Sequence, residues 1–203
     1  MRGDMAVHRA QKARDDMEQK PMDMVKKVCL LGDPGVGKTS LVRRFVTDQF
    51  DDKYLSTIGA KVTKKAKIIE VPDRQLRINL ILMIWDVAGN QDYPQFYDMY
   101  LKGMEGVLTV ADLSRPKTFE GLKASVSHVE RKTEGAPVVF LLNKADLVEL
   151  ASVDLKEIKS LADDKGVPFL VTSAKTGMNV EKAFECISEM IISDWAKKKF
   201  GVA

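Results

Sequence analysis

The stretch Gly32-Asp33-Pro34-Gly35-Val36-Gly37-Lys38-Thr39 fits the pattern G-x-x-x-x-G-K-[ST]. Residues of these types at this spacing hold phosphate. Glycines let the backbone wrap closely, so that successive N–H groups and a helix N-terminus can meet anionic oxygens. Lys38 adds a movable point charge for β- and γ-phosphates, and the Thr39 hydroxyl is suited to ligating Mg²⁺. The phosphate-binding set therefore runs from Gly32 through Ser40. Its confirmation is context, a strand before and a helix after. That context is present: MVKKVCLL (Met24 to Leu31) is a strand pattern, and Lys38 to Val46 carries apolar residues at helical spacing.

Three further polar segments follow apolar, strand-like runs. Asp86 closes INLILMIW and opens Asp86-Val87-Ala88-Gly89, where a carboxylate can hold Mg²⁺ through water and Gly89 can offer its N–H to a γ-phosphate. An aspartate after a strand is more often a helix cap. The phosphate loop upstream favours the metal role. Asn143-Lys144-Ala145-Asp146 follows VVFLL, and Thr172-Ser173-Ala174-Lys175 follows PFLV. Each tetrapeptide by itself reads as an ordinary capping loop. Together they suit a purine. Guanine presents adjacent N1–H and N2–H donors that one carboxylate, Asp146, can accept, whereas adenine does not. The apolar stems of Lys144 and Lys175 can cover the base while their charges stay solvated.

Positioning these loops requires strands that end together. Ala60 to Val71 and Leu76 to Trp85 flank Pro72-Asp73-Arg74 and read as a hairpin, which makes one strand antiparallel. Apolar runs at Gly106 to Ala111, Pro137 to Leu142 and Pro168 to Val171 alternate with helical patterns near Pro116 to Lys132, Asp154 to Lys165 and Asn179 to Lys199. That alternation predicts parallel strands with crossover helices, and hence a doubly wound α/β domain. In such a sheet the ligand crevice lies beyond the carboxyl ends of the strands.

At 203 residues the chain is long enough for one core, and 45% apolar with 30% charged residues excludes a disordered or membrane-spanning class. A net charge of +3 does not argue for nucleic acid. Residues 1–23 read as a flexible or loosely helical tail and 24–203 as the domain. The tail lacks a signal peptide's apolar core, and Arg2 stands where myristoylation needs glycine. Cys29 and Cys186 lie in a strand and a helix pattern without metal-type spacing, which predicts reduced thiols and a cytoplasmic setting. The chain finishes Lys197-Lys198-Lys199-Phe200-Gly201-Val202-Ala203, with no prenylation cysteine. Terminal lysines fit a helix dipole, with weak attraction to anionic lipid as the rival reading.

With these motifs in this order, residues from about Val25 to Trp195 resemble the Ras-like small GTPases, and most closely the Rab-type branch. The resemblance implies a P-loop NTPase fold with a six-stranded mixed sheet, one strand antiparallel, and about five flanking helices. It also implies GTP/GDP and Mg²⁺ as ligands, GTP hydrolysis, and two nucleotide-sensitive switch segments, near 50–60 and 88–100. In FDDKYLSTIG (Phe50 to Gly59), Phe50 would pack on the guanine edge, Tyr54 would cover the phosphates, and Thr57 would ligate Mg²⁺ while meeting the γ-phosphate. An effector patch would comprise Ile58, Val62, Trp85 and Tyr93, although Trp85 and Val62 also read simply as packed strand residues. An effector, an exchange factor and a GTPase-activating protein are the implied partners. The tracts MYLKGMEGV (Met99 to Val107) and DLSRPKTF (Asp112 to Phe119) are similar to Rab sequences and carry no catalytic chemistry.

Two departures bear on catalysis, whose expected residues are Lys38, Thr57, Gly89, Asn90 and Gln91. The family usually reads D-T-A-G-Q-E where this chain reads Asp86-Val87-Ala88-Gly89-Asn90-Gln91, so Asn90 replaces the water-orienting glutamine. Spacing from Gly89 favours Asn90, with Gln91 as the rival. Pro34 stands where the family commonly has Gly or Ser; it lacks an N–H and fixes φ. Slow hydrolysis is the expectation, and a pseudo-GTPase that holds GTP while recruiting partners is the alternative. A nucleotide kinase would need an Arg-rich lid segment, which the sequence does not display.

Overall fold

The computed structural model describes residues 21–51, 56–71, 76–89, 94–133, 135–150 and 153–201. The described residues form a six-stranded sheet, five α-helices and two short 3₁₀ turns. Strand β1 spans Met22–Leu31, β2 Ala60–Val71, β3 Leu76–Val87, β4 Gly106–Asp112, β5 Val138–Asn143 and β6 Phe169–Val171. The helices are α1 (Lys38–Thr47), α2 (Pro94–Leu101), α3 (Phe119–Lys132), α4 (Lys156–Lys165) and α5 (Val180–Phe200), with 3₁₀ turns at Pro116–Thr118 and Ala145–Leu147. The order across the sheet is β2-β3-β1-β4-β5-β6. β2 runs antiparallel to β3 and every other pairing is parallel.

This is the doubly wound mixed sheet that the alternation predicts, with differences at several boundaries. β1 starts at Met22, inside the stretch expected to be tail, because Met22 and Asp23 pair with Ile78 and Asn79 of the long hairpin. Asp86 and Asn143 lie within β3 and β5 rather than after them. The helical pattern near Pro116 to Lys132 begins as a 3₁₀ turn at Pro116, and the last two helices start at Lys156 and Val180. Helix α2 has no counterpart among the expected helices. Its sequence PQFYDMYL is rich in aromatics, which favour strands, although Pro94 supplies a good first helical residue.

Two apolar layers follow from the period-2 geometry of the strands. Val28, Leu30, Ile84 and Leu108 face α1 and α5, where Phe45 and Phe184 stack with ring centroids 3.9 Å apart. Cys29, Leu31, Phe140 and Leu142 face α3 and α4 through Leu122, Val126 and Ile158. β4 and β5 are buried along their whole length, as central parallel strands must be. No helix among the described residues is long and apolar enough to cross a membrane. Lys197, Lys198 and Lys199 occupy the last turn of α5, where they complement its dipole.

Both cysteines are free thiols. Burial pushes the Cys29 thiol up to about 12, so it remains protonated, and therefore a poor nucleophile, throughout pH 7–9. Iodoacetamide at pH 8 should label only the half-buried Cys186 in the native protein and both cysteines after denaturation. Native labelling of Cys29 would contradict this packing.

Candidate functional site

The loop from β1 to α1 wraps back on itself through Gly37, which sits at φ 100° and forms the N-cap of α1 with no side-chain cap. The first-turn N–H groups are therefore available to an anion. Lys38 is only 6% exposed. Its ammonium donates to the carbonyls of Gly32 at 2.6 Å and Asp33 at 2.9 Å. Burial pulls its pKa down to about 8, opposed by the charges of Asp86 and Asp33.

Thr39, Thr57 and Asp86 converge beside this loop. The Thr39 hydroxyl donates to Asp86 Oδ2 at 2.5 Å and lies 2.9 Å from Thr57 Oγ1. Asp86 is 2% exposed, and its Oδ1 is buried without a hydrogen-bond partner. Burial raises its pKa, countered by the Thr39 hydrogen bond and by the charges of Lys38 and Lys61. Two hydroxyls and one carboxylate, whose Oδ1 is buried without a partner, suit Mg²⁺, which binds few carboxylates and takes its remaining ligands from water and phosphates. Gly89 packs directly on the phosphate loop. A Cβ there would lie 2.5 Å from the Pro34 nitrogen and 2.7 Å from the Gly32 carbonyl oxygen, so no larger residue fits.

The two segments expected to read a base meet at the other end of the loop. Asn143 is 1% exposed; its amide Nδ2 donates to the Val36 carbonyl at 2.9 Å, and its Oδ1 accepts from Ala174 N–H at 3.2 Å and the Thr172 hydroxyl at 3.3 Å. The Ser173 hydroxyl donates to Asp146 Oδ1 at 2.5 Å and accepts the Thr176 N–H at 3.1 Å. Asp146 and Lys175 are otherwise exposed, open to a ligand. Phe50 is half-buried against the α1/α5 layer.

One expectation needs correction. The Lys144 charge is not solvated: its ammonium pairs with the fully buried Asp112 carboxylate at 2.7 Å, because that carboxylate needs cationic partners. Arg44, outside every sequence motif, also joins the site: its guanidinium donates to the Ala174 carbonyl at 2.9 Å and the Lys175 carbonyl at 2.5 Å. For Asp112 the signal was present, since it closes an apolar strand as Asp86 nearly does. For Arg44 there was none. Of the expected patch, Ile58 is 94% and Val62 41% exposed, while Trp85 is half-buried beneath the Lys27 ammonium, 3.9 Å from the ring centroid. Tyr54, Asn90, Gln91 and Tyr93 lie outside the described residues.

A phosphate loop on the first strand of a doubly wound sheet, with two polar loops at the same edge, defines a P-loop nucleotide-binding protein. The Ras family model matches residues 27–193. The chain is 37% identical over 180 residues to Ras-related protein RABD1 of Arabidopsis thaliana, covering 88% of this chain and 82% of that protein. It is also 37% identical over 163 residues to Ras-related protein RIC1 of Oryza sativa subsp. japonica, covering 80% and 78%. The chain belongs to the Ras family of small GTPases, in its Rab-type branch.

Removing the Asn143 amide leaves the Val36 carbonyl and the Ala174 N–H buried without it. Asn143→Ala should destabilise the fold by about 1–3 kcal/mol, read as a lower urea midpoint with unchanged slope. An unaltered midpoint would show that these loops are held by something else.

Proposed function

We propose that the protein is a guanine-nucleotide switch that holds GTP or GDP with Mg²⁺ and hydrolyses GTP slowly. The carrying observation is the Asn143 amide, which joins the phosphate loop at Val36 to the loop of Ala174 while standing one residue before Lys144. A base seated at Asp146 and a phosphate chain seated at Lys38 thus belong to one ligand. Asp146 accepts N1–H and N2–H of guanine, and Ser173 fixes the carboxylate that does so. The stem of Lys144 or Lys175 covers the ring, and Phe50 closes its edge.

Lys38 exchanges loop carbonyls for β- and γ-phosphate oxygens, gaining the counter-charge that its burial lacks. Thr39 and Thr57 would hold Mg²⁺ directly and Asp86 through water. When bound, the ion neutralises charge that develops on the phosphates. Gly89 presents its N–H where no side chain can intrude, and Tyr54 shields the phosphates from solvent. Loss of the γ-phosphate removes the partner of the Thr57 and Gly89 backbone, which frees both switch segments. Ile58, Val62, Trp85 and Tyr93 carry that change to an effector, and an exchange factor and a GTPase-activating protein set its timing. The two free thiols support a cytoplasmic setting.

Slow turnover rests on Asn90. Its amide has the donor and acceptor of glutamine but is one methylene short, and a misplacement near 1 Å costs about 10²-fold in rate. Asn90→Gln should therefore raise single-turnover hydrolysis of bound GTP with Mg²⁺ by about 10- to 100-fold. An unchanged rate would place the water on Gln91 or the limitation at Pro34. Phosphate release that stays undetectable for wild type, even with cell extract, would favour the pseudo-GTPase reading. Asp146→Asn should shift preference from guanine to xanthine nucleotides, since an amide donor then faces the C2 carbonyl. Retained guanine preference would remove Asp146 from base reading.

A further inference from the structure

Asp112 closes β4 in the middle of the sheet, and its carboxylate is fully buried between the phosphate loop and the base-reading loop. Neither oxygen is spare. Oδ1 accepts the Ser114 N–H at 3.0 Å and the Ser114 hydroxyl at 2.6 Å; Oδ2 accepts Arg115 Nε at 2.8 Å and Lys144 Nζ at 2.7 Å. Arg115 then extends its Nη2 to the Pro34 carbonyl at 3.1 Å. A continuous polar line therefore runs from Pro34 through Arg115 and Asp112 to Lys144.

Each link has a physical reason. A buried carboxylate is tolerated only when its charge is compensated and its lone pairs are filled. Burial alone would raise the Asp112 pKa, but hydrogen bonds from Lys144, Ser114 and Arg115 hold it below the usual carboxylate range. Arginine suits the junction because its rigid planar guanidinium donates from Nε to the carboxylate and from Nη2 to the carbonyl at once, which holds the two acceptors at a fixed spacing. The Pro34 end meets a loop residue that has no N–H of its own to anchor it. The Lys144 end meets a residue held at φ 67°, so the backbone aims the side chain and Asp112 fixes its tip. Three separate loops are joined, and two of them grip opposite ends of the proposed ligand.

We propose that Asp112 and Arg115 are positioning residues for nucleotide retention: they tie the phosphate loop at Pro34 to the base-covering Lys144, so that both grips are set before the ligand arrives. This rests on the guanine-nucleotide reading above. Neither residue touches the nucleotide. They act by sparing Lys144 and the loop the ordering that binding would otherwise require, which slows release rather than changing the choice of base.

The test uses fluorescent N-methylanthraniloyl-GDP with Mg²⁺ on the full chain. Arg115→Ala should release it about five- to tenfold faster than wild type, the low end of the coupling found between linked sites. Arg115 is about half exposed and Asp112 keeps Lys144 and Ser114 as partners, so the urea midpoint of the nucleotide-free protein should stay close to that of wild type. A purely structural role would move that midpoint. In a Lys144→Ala background the Arg115→Ala effect should shrink, leaving the combined fold-change below the product of the single ones. Asp112→Asn keeps the shape but loses the charge, and should match Arg115→Ala if it folds. Wild-type release from Arg115→Ala, or a double variant equal to the product, overturns the proposal and leaves the nucleotide reading intact. A wild-type chain that does not retain the probe overturns both.

Discussion

The site hangs on one buried carboxamide. Asn143 ends a fully buried central strand, so its amide cannot turn to water, and every polar atom it carries must find a partner in the protein. It finds them on the phosphate loop and on the loop after β6. The fit is tight enough that a side chain at Gly37 would come within 2.3 Å of the amide nitrogen. Thus the glycine that lets the phosphate loop turn also leaves room for the group that fixes the base loops. The geometry of the phosphate loop and that of the proposed base-reading loops are one constraint.

Around that anchor the electrostatics are incomplete in a way that a ligand would complete. Lys38 and Asp86 are both buried, and burial pushes each toward its neutral form. A phosphate supplies what the lysine lacks, and a divalent cation supplies what the aspartate lacks. Asp112 is the instructive contrast, since it is equally buried yet saturated by Ser114, Arg115 and Lys144. One carboxylate is finished by the fold, and the other is left to the ligand.

Much of this was legible in the chain itself. The phosphate loop, Asp86 and the two base-reading tetrapeptides are local patterns on strand ends, and the sheet brings them together as a doubly wound order requires. Helix α2 was not legible, because its aromatics favour strands and its helical state depends on docking Leu101 into the α3 layer. The roles of Arg44 and Arg115 were equally hidden. Each acts on a residue brought near by tertiary structure, such as Ala174 for Arg44 or Pro34 for Arg115. The membership of Asp112-Leu113-Ser114-Arg115 in a family-like tract gave no hint that its carboxylate and guanidinium bridge two loops.

The central claim is that one guanine nucleotide spans the edge that Asn143 organises. It is tested most directly by denaturing the purified chain and identifying the released nucleotide by chromatography and mass spectrometry. GDP or GTP at about one per chain, lost when Mg²⁺ is chelated, is the result this site predicts. ADP or ATP in that place would contradict the reading of Asp146 and, with it, the account of the site.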